Sequence, residues 1–120
     1  MIAKGTTFIR HGHLWFNITE PTKQNPDVLC VNLTCLDDDC QDGECHISPA
    51  EYKWVKAGYP TTIAFSRARV WDANKILACL NSGILRRPDQ GNVPATTIAK
   101  VIKAALKSME LSEDFRKMLR

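Results

Sequence analysis

Apolar and polar residues alternate early in the chain and recur at helical spacing late in it. Thr6-Thr7-Phe8-Ile9 reads as a first short strand. Leu14, Phe16 and Ile18 then alternate with Trp15, Asn17 and Thr19, which predicts a half-buried second strand over about Leu14 to Thr19. Arg10 to His13 is the turn between them, with Gly12 allowing a tight bend. Glu20 to Asp27 holds Pro21, Asn25 and Pro26 and has no period, so it is a loop. Val28 to Thr34 is nearly continuously apolar, the pattern of a central, well-covered strand. Cys45-His46-Ile47 suits a return strand. Ser48 and Glu51 have the spacing of a capping box for a one-turn helix, with Tyr52, Trp54 and Val55 as apolar cover. Thr61 to Phe65 is β-prone and continues through Ser66-Arg67-Ala68-Arg69-Val70-Trp71.

The period then changes. Asp72 is placed to cap a helix from about Ala73 to Ser82, which Gly83 stops. A second helix starts near Pro94 and carries Ile98, Val101, Ile102, Ala105, Leu106 and Met109 as one stripe. Ser112 can cap a last short helix. Strands first and helices last predict one mainly β domain with C-terminal helices, an α+β fold. The short strands suggest a small antiparallel barrel over about residues 3–71, with helices from about 72 to 120 covering one end or face.

Length and charge narrow the classes. A chain of 120 residues makes one domain with a real core. No apolar run approaches the roughly 20 residues of a membrane helix, and the start Met1-Ile2-Ala3-Lys4-Gly5-Thr6-Thr7 has no signal-peptide core, so the expected compartment is the cytoplasm, away from membranes. Residues 1–60 carry 5 Lys/Arg and 8 Asp/Glu, whereas residues 61–120 carry 11 and 5. The basic half suggests an anionic partner, nucleic acid first, although solvated helix faces give the same imbalance. Five cysteines cannot all pair within the chain, and buried thiols are the default in a reducing compartment.

Three groups of side chains bear on chemistry. Cys35, Cys40, Cys45 and His46 offer zinc-type donors, but their spacing within one acidic hairpin is not that of paired short chelate loops, so no metal or cofactor is expected. A Cys35–Cys45 disulfide needs the hairpin to bring them opposite each other. His11, His13 and His46 are candidate acids and bases, since imidazole titrates near neutrality. Cleaving RNA through its own 2′-hydroxyl needs a base, an acid and a positive donor for the phosphorane. His13, Thr34 and an arginine supply such a set. Arg67 and Arg69 would share a face if Ser66–Arg69 were a strand, and arginine suits phosphate. Trp15, Tyr52, Trp54 and Tyr59 are candidates for stacking on unpaired bases or for the core. Five acidic residues among positions 37–44 would repel RNA and should lie away from the site or gate it.

Lys4-Gly5-Thr6, His13 to Pro21, Val28 to Thr34, Cys45 to Pro49 and Thr62 to Arg69 occur in an order that resembles the MazF/PemK-like toxin superfamily, over about residues 3–71. The resemblance implies an SH3-like barrel of the CcdB/MazF/PemK type, often a homodimer. It implies a toxin of a toxin–antitoxin pair that cleaves single-stranded RNA without metal and is neutralised by an antitoxin protein. It places His13 and Thr34 in the active site; beside them, Arg67 is expected as the third catalytic group and Arg10, His11, Trp15 and Arg69 as RNA-binding residues. Where that family shows Arg-Pro, this chain has His13-Leu14, so the arginine charge falls to Arg10, Arg67 or Arg69. Some proteins of similar fold instead inhibit DNA gyrase by binding it. A non-enzymatic binder of that kind, or an interaction module, is the alternative.

Overall fold

The computed structural model describes residues 2–36 and 42–120. Five strands form one antiparallel sheet: β1 (Thr7–Arg10), β2 (His13–Asn17), β3 (Asp27–Cys35), β4 (Thr61–Ile63) and β5 (Arg69–Asp72). Three helices follow: α1 (Ala73–Ser82), α2 (Ala95–Lys107) and α3 (Glu113–Lys117). The chain is thus a mixed α+β fold with the strands first.

The long strand β3 organises the sheet. Along one edge it pairs with β2, in the register Leu14↔Leu33 to Asn17↔Cys30. Its other edge carries two strands end to end. β4 pairs with Leu33 to Cys35, and β5 pairs with Asp27 to Cys30. Between these two, Phe65–Arg67 form a 3₁₀ turn, and the Ala64 N–H donates to the Asn32 carbonyl at 3.0 Å. Ser66 to Arg69 is therefore not one strand. The buried Phe65 leaves the ladder at the turn, and pairing resumes only at Arg69. Beyond β4, the predicted return strand reduces to a single bridge, His46↔Thr62, flanked by Ile47 N–H to Thr61 O and Ile63 N–H to Cys45 O. Ser48 and Glu51 make the capping-box bond, backbone N–H to carboxylate at 2.9 Å, yet close only a turn.

The β1–β2 hairpin turns on two residues, His11 and Gly12, at φ 51° and 77°. Positive φ at both positions is the signature of a type I′ loop, whose twist matches that of the strands. Arg10 and His13 are thereby set opposite each other.

Apolar residues on both faces of the sheet are buried, in two cores. Leu14, Phe16, Leu29, Val31 and Leu33 pack with Ile98, Val101 and Ala105 of α2. Phe8, Trp15, Val28 and Cys30 pack with Ala73 and Ile76 of α1. Helices thus cover both faces rather than one, and this is why β3 reads as an unbroken apolar run. The helix ends follow local chemistry. Asp72 accepts from Asn74 N–H at 2.8 Å, Gly83 takes φ 82°, and Ser112 accepts from Phe115 N–H at 3.3 Å. The stripe on α2 is wider than its cover, because Leu106 is 40% exposed; Met109, expected on the same stripe, lies past the helix end at Lys107 and is 90% exposed. Among the described residues no helix is long and apolar enough to cross a membrane.

Candidate functional site

Residues opposed in an antiparallel ladder project from the same face, so the registers trace a row across the sheet. Arg10 pairs with His13. Extending the Leu14↔Leu33 register by one residue sets His13 opposite Thr34. Thr34 pairs with Thr62, and Thr62 bridges to His46. His13, Thr34, Thr62 and His46 each neighbour a residue whose side chain enters the α2 core, Leu14, Leu33 or Ile63 among them, and Arg10 is paired with His13, so the row lies on the face that α1 partly covers. Neighbouring strands stand roughly 4.8 Å apart. His13 therefore lies next to both Arg10 and Thr34, and His46 stands about 14 Å away along the row. Arg10, His13 and His46 are exposed, Thr34 is half-buried, and the buried Thr62 donates its hydroxyl to the Cys45 carbonyl at 3.0 Å.

One step inward on the same face lies a second row, Phe8, Trp15 and Asn32. Asn32 is 2% exposed, and its Oδ1 meets no hydrogen-bond partner among the described residues. A buried amide oxygen left in this state costs free energy and is a rare feature. The sequence signal was present, since Asn32 interrupts the apolar run of β3. One step further come Asn17, Cys30 and Arg69.

Of the sequence-expected residues, His13, Thr34 and Arg10 are brought together, and His46 joins the end of their row. His11 sits exposed at the hairpin tip. Arg69 is exposed at the start of β5, two rows away, and Arg67 is half-buried in the 3₁₀ turn. Trp15 is 6% exposed and locked edge-on against Trp71, with ring centroids 4.8 Å apart. Its ring belongs to the core, which leaves no face for a base. Trp71 takes over the junction. It lies 6.0 Å from Phe8, and the Arg10 guanidinium sits 5.2 Å above its ring.

Of the acidic segment, Asp42 reaches the 3₁₀ turn, where its Oδ2 accepts from Ser66 N–H at 2.8 Å. Residues 37–41, and with them Cys40, lie outside the described residues. Glu44 is tied to the C-terminal segment through Ser108 Oγ and through Met109 N–H at 2.8 Å. Against partial desolvation, these bonds hold the Glu44 carboxyl below its ordinary value. Glu110 responds the other way: desolvation, then the facing Asp42 and Glu44, push its carboxyl up to about 7. Cys35 and Cys45 are both free thiols, one exposed and one buried in the α2 core, so they form no disulfide. Burial pushes the Cys30 and Cys45 thiols up, away from nucleophilic use. Among the described residues no three His, Cys, Asp or Glu side chains form a group that could hold a metal ion.

Compared with protein-family models, with curated proteins and with solved structures, the chain finds no match.

Proposed function

We propose that this chain is a MazF/PemK-like toxin, an SH3-like barrel that acts in the cytoplasm as an endoribonuclease on single-stranded RNA and is held in check by an antitoxin protein. The observation that carries the reading is the Arg10–His13–Thr34 row, a base, a hydroxyl and a guanidinium on adjacent strands. In this mechanism His13 takes the proton of the 2′-hydroxyl, and the 2′-oxygen attacks the adjacent phosphorus. Arg10 faces the charge that builds on the phosphoryl oxygens, with Thr34 donating to one of them. The P–O5′ bond breaks, the 5′-oxygen takes a proton from an acid or from solvent, and a 2′,3′-cyclic phosphate remains. His46, about 14 Å from His13 at the far end of the row, is out of reach of that second transfer, so the proton comes from solvent. Arg10 takes the catalytic place expected of Arg67, because it is the arginine paired with His13.

The test is incubation of the purified protein with mixed-sequence RNA in EDTA. Cleavage to cyclic-phosphate ends is expected, with a fall of about 10²–10⁴ in His13→Ala, the usual range for a lost general base. RNA that stays intact with the wild-type protein sinks the reading.

A binding protein without nuclease activity is favoured by a different feature. Ile98, Ile102 and Leu106 of α2, with Lys4 and Lys103 beside them, line an open apolar groove of about 570 Å³. A protein that binds DNA gyrase, a second copy or another partner there would leave RNA untouched. In the gyrase case it would block supercoiling.

A further inference from the structure

A smaller cavity, about 170 Å³, opens between β1, β5 and α1. Its floor is apolar, since Phe8 and Ile76 are 0% and 3% exposed. Ile84, 77% exposed, and Leu85 also line it. So does Trp71, with Arg10 over its ring. Lys75 adds a second cation to the lining. The one carboxylate there, Asp72, is engaged as the cap of α1.

These features select a ligand chemistry. The apolar floor disfavours a hydrated inorganic ion. The narrow volume excludes a helix or a second folded chain. Two cations beside an apolar slot suit a flat, largely apolar body that carries an adjoining anion. Arg10 belongs to the cavity wall and is also paired with His13, so whatever occupies the slot is continuous with the row across the sheet. We propose that this cavity holds one unstacked base of the bound RNA, with the neighbouring phosphate between Arg10 and Lys75. The inference rests on the nuclease reading and adds to it a base subsite, where the strand is held beside the scissile bond.

Equilibrium dialysis of the full chain against 5′-AMP, 5′-GMP, 5′-CMP and 5′-UMP, with ribose 5-phosphate as the baseless control, tests it. At least one nucleotide should bind at least tenfold more tightly than ribose 5-phosphate. The substitution Lys75→Glu, at an exposed position, should weaken that nucleotide about tenfold, the scale of one lost charge-assisted contact. Cys79 lines the cavity and Cys35 is an exposed free thiol elsewhere, so bound nucleotide should slow maleimide labelling of Cys79 and leave Cys35 unchanged. Absence of nucleotide binding, equal binding of ribose 5-phosphate, or full affinity in Lys75→Glu overturns the proposal. RNA cleavage is assayed on the same samples. Cleavage without nucleotide binding removes the cavity alone, and nucleotide binding without cleavage removes the nuclease reading alone.

Discussion

The substitution Asn32→Leu exchanges an amide for an apolar side chain of similar size at a position 2% exposed. The backbone should not notice, because Asn32 accepts from Ala64 N–H through its carbonyl, which leucine keeps. The change removes the Oδ1 that has no partner among the described residues. Leaving such a group buried costs about 1–3 kcal/mol. Refitting a side chain of similar volume costs up to about 1.5 kcal/mol. The difference is a gain of about 1 kcal/mol, or about 4 °C in Tm for a domain of this size. In urea it is a rise of about 0.5 M in the unfolding midpoint at unchanged slope. Activity should not follow. Asn32 lies one row inward from His13 and Thr34 on the same face, but its Oδ1 is sealed from solvent and out of reach of a bound ribose, so RNA cleavage should stay near the wild-type rate. Urea titration and a cleavage assay on one preparation measure both. A variant that loses 1 kcal/mol or more refutes the reasoning about Oδ1, since the amide is then satisfied in solution. A variant that is stabilised but cleaves markedly more slowly means that the amide does reach the RNA.

Two further outcomes follow from the same geometry. Gly12→Ala meets no atom within 4 Å of the new Cβ, yet φ is +77°, so the cost is backbone strain alone, about 1–2 kcal/mol by thermal unfolding; a neutral result would mean the hairpin turn relaxes. Glu110 binds its proton more tightly in the folded protein, up to about 7 against an ordinary 4.5. Between those values the folded state holds a proton that the unfolded chain lacks, so this group's contribution to stability falls as pH rises through that window and is level above it. Tm of Glu110→Gln should therefore decline less from pH 5 to pH 8 than that of the wild-type protein, and parallel declines would exclude the carboxyl as the source.

What could be read from the chain was local. The hairpin around Gly12, the break at Pro21–Pro26, the cap at Asp72, the stop at Gly83 and the cap at Ser112 all appear where neighbouring residues dictate. Their causes act within a few positions: a positive φ, a missing N–H, a side-chain oxygen above a helix end. The candidate site was half legible for the same reason. His13 and Thr34 stand at strand ends, which periodicity locates. A period of two says that residues alternate, but not which set meets solvent or which strand lies alongside. Register across distant segments made those choices. It turned Trp15 into core beside Trp71 and separated Arg67 from Arg69 at the 3₁₀ turn. Through Thr62 it also brought His46 onto the row of His13. Packing on both faces of the sheet likewise depended on where α1 and α2 settled, since an apolar stripe specifies that a face is buried but not against what.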